Sequence, residues 1–145
     1  MTRFVETGAE MADLEKFCIV EGDLSMNVIG ATPAGMRIDF PFTGTATGPH
    51  WQGARPVSGV DYVTVRADGN MDLDIHGVIG EKREKVAYRA IGVSIANPDG
   101  SAGPKELLTF QTAIPELTWL NDEVGVAFGS GAAGKINLEI FLIKP

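Results

Sequence analysis

Two alternating runs joined by a glycine-containing turn, between Gly59 and Gly77, constrain this chain more than any other stretch. Tyr62 to Arg66 and Met71 to His76 each alternate in polarity, with Ala67-Asp68-Gly69-Asn70 between them. Alternation interrupted by Asp-Gly predicts a β-hairpin. Successive side chains on a strand point to opposite faces, so Tyr62, Thr64 and Arg66 share one face, as do Asp72, Asp74 and His76 on the partner strand. A polar, ionisable stripe therefore lies opposite an apolar one. Function turns on whether that stripe faces water or a cavity.

The rest of the chain reads in the same way. Residues 1–13 show no firm period and are expected to form an arm or one short helix. Leu14 to about Ile29 reads as one long or two short strands, with Gly22-Asp23 as a break or bulge. Ala31-Thr32-Pro33-Ala34-Gly35 makes a turn, and Met36 to Phe42 alternates, with Pro41 marking an edge or a strand end because it lacks an N–H. Thr43 to Pro56 is expected to be a loop followed by a short strand at Trp51 to Arg55. Glu81 to Glu84 is a charged turn, Val86 to Ala96 a β-branched strand, and Asn97 to Pro104 a loop. Further strands are expected at Glu106 to Ala113, about Trp119 to Phe128, and Lys135 to Ile143. No stretch of ten or more residues has convincing helical periodicity. Short strands at regular spacing indicate an all-β protein, either a barrel or a sandwich. A single antiparallel β-barrel of about eight to nine strands is preferred, because closure removes the exposed edges that so many hairpins would leave.

Size and charge narrow the function. A chain of 145 residues suits one domain with one sizeable core. Eighteen glycines, well above the roughly 7% typical of proteins, point to many tight turns. A net charge of -7 without any Lys/Arg cluster disfavours nucleic acid as a partner. One cysteine, Cys18, cannot form an internal disulfide, which fits a reducing compartment. No apolar run approaches the roughly 20 residues of a membrane span. A cytoplasmic protein without membrane association is expected, with a homo-oligomer left open.

Gly129-Ser130-Gly131-Ala132-Ala133-Gly134-Lys135 matches G-x-G-x-x-G and most of G-x-x-x-x-G-K. A phosphate cradle needs a helix after it, so that helix N-terminal amides meet the anion. Ile136 to Ile143 alternates like a strand, and Ile136 stands where Ser or Thr is required. The segment is read as a hairpin turn.

Few residues remain for chemistry. Asp72, Asp74 and His76 could offer oxygen and nitrogen ligands to a metal, but no second His lies near and no Cys pair exists. Neither a metal nor a cofactor is expected. The simplest reading of that face is a solvated acidic strand; the active reading makes Asp74 and His76 an acid/base pair, since imidazole titrates near neutral pH. Arg66, across the hairpin, could neutralise an Asp or clamp a substrate carboxylate, or form only a surface ion pair. No G-x-S-x-G elbow supports serine catalysis. Cys18 reads as an inert core thiol. Trp51 and Trp119 suit core packing or stacking on a flat substrate, and Tyr88 and Asn121 could offer it hydrogen bonds.

Taken in order, Gly59-Val60-Asp61-Tyr62, Arg66-Ala67-Asp68-Gly69, Leu73-Asp74-Ile75-His76, Tyr88-Arg89-Ala90-Ile91-Gly92, Phe110-Gln111-Thr112 and Trp119-Leu120-Asn121 resemble the domain of unknown function 3237 family. Thr32 to Arg37 and Gly44 to Pro49 look like that family's glycine-rich opening. The resemblance implies a small bacterial-type, lipocalin-like barrel whose general activity is not established. It places Asp61, Arg66, Asp74, Tyr88, Arg89, Trp119 and Asn121 at the family's polar and aromatic signature positions. The chain departs from the pattern at His76, where Arg is more usual, and at Gly80 to Glu84. The resemblance also favours an inward-facing stripe.

Two functions compete. One is a cofactor-independent lyase, isomerase, hydratase or cyclase acting on a small carbonyl or aromatic compound. In it Arg66, Asp74, His76 and Arg89 are the catalytic candidates, and Arg37, Asp61, Tyr88, Thr112, Trp119 and Asn121 the substrate contacts. The other is a non-catalytic barrel that binds or carries a small ligand.

Overall fold

The computed structural model describes residues 12–145. The stretch expected to form an arm or short helix lies almost wholly outside them. The described residues form nine antiparallel strands: β1 (Asp13–Leu24), β2 (Asn27–Thr32), β3 (Gly35–Thr47), β4 (Ala54–Val65), β5 (Met71–Glu81), β6 (Glu84–Ala96), β7 (Ala102–Thr112), β8 (Val124–Ala132) and β9 (Lys135–Lys144). A 3-10 helix (Pro115–Asp122) separates β7 from β8. Neighbours run β1-β9-β8-β7-β6-β5-β4-β3, and β3 returns to β1 through Thr47–Phe42 against Ile19–Leu24. The result is a closed eight-stranded antiparallel barrel, with β2 as an extra strand beside the first half of β3.

The Gly59–Gly77 hairpin forms as its pattern predicts: β4 and β5 flank a turn in which Gly69 takes a φ of 84°. Besides Thr43–Thr47, which continues β3 where a loop was expected, Trp51–Gly53, which is loop where a strand was expected, and Ala102–Pro104, which opens β7, two segments differ from expectation. The first is the break between β1 and β2, which falls at Ser25-Met26 rather than at Gly22-Asp23. Gly22 stays paired to both neighbours, because β1 and β3 approach so closely there that a Cβ would lie 2.7 Å from the Thr43 carbonyl oxygen. Its missing side chain serves close approach rather than a turn. At the real break the Ser25 N–H donates to the Pro41 carbonyl. Because N and C=O of one strand residue point the same way, the nitrogen of Pro41 faces this gap, where no N–H is needed, and β3 runs on to Thr47.

The second difference is at Trp119, expected to begin a strand. It lies on the 3-10 helix, which Pro115 starts and which buries Leu117 and Leu120, three residues apart. This helix and the loop carrying Trp51 cover one end of the barrel. Phe17 packs edge-on against Trp51 and Phe110 there, with ring centroids 5.6 and 5.4 Å apart. The opposite end carries the β4–β5, β6–β7 and β8–β9 turns and the β1–β2 break, and has no such plug among the described residues.

Candidate functional site

Side chains of one parity on every strand fill the barrel, and nearly all are apolar: Val57 and Val63 on β4, Leu73, Ile75 and Ile79 on β5, Leu138, Ile140 and Leu142 on β9. Away from the plugged end four polar residues share that inward parity, while Arg55 on β4, Thr112 on β7 and Lys144 on β9 share it at the plugged end. Asp61 sits between Gly59 and Val63 on β4; Tyr88 and Ser94 follow Val86 on β6; Glu106 sits between Pro104 and Leu108 on β7. Ser94, Glu106 and Tyr88 are 3%, 7% and 8% exposed.

They line one recess entered from the unplugged end. Its outer part is a cavity of about 310 Å³ whose walls include Phe40, Asp61, Met71, Leu73 and Ser94. Leu24, Asp61 and Ile136 are shared with a smaller inner space of about 60 Å³, which Tyr88 and Glu106 reach among Phe42, Leu108 and Leu138. Asp61 stands at the junction.

Burial dominates the electrostatics. Loss of water pushes the Asp61 carboxyl up to about 7, opposed by the Asp74 N–H that it accepts and helped by the Asp74 charge. Glu106 is pushed up to about 8 by burial first and by the negative charge of Asp61 second. Burial, with Glu106, Cys18 and Asp61 nearby, holds the Tyr88 phenol above its usual range. Near neutral pH the recess therefore contains a protonated Glu106, a partly ionised Asp61 and a phenolic O–H. One group can give a proton while another takes one.

The polar stripe of the hairpin lies on the outer face. Asp74 accepts from Arg89 Nε at 3.2 Å and lies 3.3 Å from His76 Nε2, with all three side chains well exposed. Arg66 pairs with Asp68 and Asp72 beside the β4–β5 turn. Arg37 pairs with Asp39 at 2.6 Å and lies over the Tyr62 ring, also outside. Trp119, Thr112 and Asn121 gather at the plugged end. Asn121 accepts the Thr112 N–H at 2.7 Å and donates to the Thr112 carbonyl at 3.0 Å, tying the 3-10 helix to β7. Trp119 packs on His50, ring centroids 4.9 Å apart. Of the ten residues singled out from the sequence, Asp61 and Tyr88 line the recess. Among the described residues, no three His, Cys, Asp or Glu side chains are grouped so as to hold a metal ion.

Glu106 and Ser94 were not singled out. A signal was present: in Pro104-Lys105-Glu106-Leu107-Leu108-Thr109-Phe110 the glutamate occupies the parity of Leu108 and Phe110. Because Leu107 is apolar as well and points outward, 46% exposed, the alternation is blurred.

No curated protein matches the chain. Solved structures share its fold. A β-barrel-like protein from Acinetobacter baumannii AYE superposes with a TM-score of 0.83 at 18% identity, over 96% of this chain and all of that one. A protein of unknown function from Clostridium acetobutylicum ATCC 824 gives 0.81 at 18% identity, over 92% of this chain and all of that one. An enzyme from Penicillium herquei gives 0.62 at 18% identity, over 97% of this chain and all of that one. A family model, "Protein of unknown function (DUF3237)", matches residues 13–143, and the chain belongs to that family.

Proposed function

We propose that the barrel is a cofactor-independent enzyme that moves protons on a small carbonyl or aromatic compound, with Asp61 as base and Glu106 as acid. The observation that carries this reading is the placing of two carboxyls with raised pKa values in one apolar recess open at one end. An acid withdrawn from water with no cation beside it costs stability, so buried Glu106 and half-buried Asp61 in one recess are better explained by use than by packing. The fold of the Penicillium herquei enzyme is compatible with catalysis in such a barrel.

For a ketone the step balances without a metal or redox partner. Asp61 carboxylate takes a proton from the carbon beside the carbonyl. The C–H electron pair becomes the C=C bond, and the carbonyl oxygen takes the Glu106 proton, leaving an enol, a protonated Asp61 and an ionised Glu106. Returning the proton to another carbon gives isomerisation; expelling a β-substituent gives elimination. Tyr88 stays protonated and can donate a hydrogen bond to the developing oxyanion.

The test is deuterium incorporation from D2O into 2-tetralone, followed by mass spectrometry. The wild type is expected to accelerate exchange over buffer, and Asp61→Asn and Glu106→Gln each to lose about 100-fold of that acceleration. No acceleration, or variants that exchange at the wild-type rate, would count against the reading. The apolar lining also suits a carrier, in which a bound ketone would exchange no faster than in buffer.

A further inference from the structure

We infer that the molecule this recess takes is uncharged, and that the site is built to reject anions. The inference rests on the reading of Asp61 and Glu106 as the groups that meet the ligand, but it concerns recognition rather than turnover.

The lining carries the argument. The inner space holds Asp61, Glu106 and Tyr88 and otherwise only aliphatic side chains and Phe42, with no Arg, Lys or His. No described arginine lines either part of the recess; Arg83 is exposed on the β5–β6 turn, and Arg55, whose Nη1 is buried without a hydrogen-bond partner, lies at the other end of the barrel. Arg37, Arg66 and Arg89 pair with acids on the outside. Arg55 lies over Trp51 near the plugged end, 5.3 Å from the ring centroid. Lys135 reaches the wall of the outer cavity, but its ammonium pairs with Asp23 and its side chain is 74% exposed. A carboxylate or phosphate entering this recess would lose its water and find no cation beyond the exposed ammonium of Lys135, which already faces Asp23. Every acid it met would repel it or be forced to stay protonated.

A cation fares better with the acids but not with the rest of the lining. An ammonium brings three N–H donors, and the recess offers little beyond the two carboxyls, the Tyr88 oxygen and the Ser94 hydroxyl to replace water. An uncharged ring system with one hydrogen-bonding oxygen meets both demands. Its oxygen can accept from protonated Glu106 and its carbon frame fills the aliphatic walls. The ring system would occupy the outer cavity of about 310 Å³, beside Asp61 and Ser94, with its oxygen turned into the inner space of about 60 Å³ that Glu106 lines.

Three probes of nearly one shape separate the cases on the intact protein at neutral pH: 2-tetralone, uncharged; 2-naphthoate, an anion; and 2-aminotetralin, a cation. Binding is measured by titration calorimetry. The expected result is that 2-tetralone binds at least about tenfold tighter than either ion. The double variant Asp61→Asn, Glu106→Gln is expected to narrow the deficit of 2-naphthoate, because the repelling groups are gone. The inference is overturned if 2-naphthoate binds within about threefold of 2-tetralone, if 2-aminotetralin binds tightest, or if none of the three binds. The wild-type comparison decides on its own should the double variant fail to fold. Selective binding of 2-tetralone without deuterium exchange would keep the charge selection and sink the catalytic reading. Exchange together with equal binding of 2-naphthoate would do the reverse.

Discussion

Asp74 donates its backbone N–H to Oδ1 of Asp61 at 3.2 Å, so a residue whose own carboxylate is outside the barrel fixes the carboxyl inside it. The β4–β5 ladder is in register at Asp61↔Ile75 and again at Thr64↔Asp72, with no paired residues between. A side-chain oxygen has taken the place of a backbone acceptor in that gap. The carboxyl is held at the junction of the two spaces by the sheet itself, which is the kind of rigid support a reacting group needs.

Stability should fall as pH rises through neutrality. Asp61 and Glu106 titrate at about 7 and about 8 in the folded protein, above their ordinary values, so the native state binds more protons than the unfolded chain in between. Their contribution is complete below the unfolded values and is lost as pH climbs through the folded ones. Urea unfolding is expected to show a loss on the order of 2 kcal/mol or more between about pH 5 and about pH 8.5. The slope should flatten in the double variant Asp61→Asn, Glu106→Gln. Asp68 and Asp99 are shifted down, so their effect appears only at lower pH and leaves this window clear.

Asp74→Asn separates the outer acid from the inner one. The backbone N–H that serves Asp61 survives, and the ion pairs lost are solvent-exposed. Stability is expected to change by less than about 0.5 kcal/mol, and 2-tetralone exchange by less than about twofold. A loss as large as that of Asp61→Asn would move the chemistry to the outer face.

Gly77→Ala should destabilise the barrel through Tyr88. A Cβ at residue 77 would overlap the phenol ring, which lies across this glycine. The expected cost is about 1–3 kcal/mol by thermal or chemical unfolding. In a Tyr88→Leu background the same substitution should cost less, giving a measurable coupling between the two sites.

Asn121→Ala tests whether this residue is a brace or a ligand contact. Its amide satisfies both backbone groups of Thr112 at the plugged end, away from the recess. A loss of about 1–2 kcal/mol in stability is expected, with 2-tetralone binding unchanged by calorimetry.

The barrel was legible because its strands obey period 2 and its turns carry the residues turns require, as at Asp68-Gly69. The 3-10 helix was not: eight residues give too few turns for a periodic signal, and Trp119 followed by Leu120 reads equally well as a strand start. The site was half legible for a related reason. The acids on the polar stripe drew attention because they stand together, yet a stripe of acids on a hairpin with one apolar face belongs in water. The informative pattern was the reverse one, a single carboxylate on the apolar parity, as at Asp61 and Glu106. Asp61 was singled out through family resemblance. Glu106 needed the structure, because outward-pointing Leu107 hid its parity.

Closure of β1 against both β3 and β9 has a consequence for how the chain reaches this state. Asp13 pairs with Lys144 and Asp23 with Lys135, contacts that span nearly the whole sequence. Pairings so distant along a chain are slow to form, since the loop entropy must be lost before the contacts reward it. During synthesis, β1 has no β9 to meet until residues 135–144 have left the ribosome. Until then Cys18 and Val20 cannot meet Ile140 and Leu138, their partners on β9, and the nascent barrel presents an open, apolar seam.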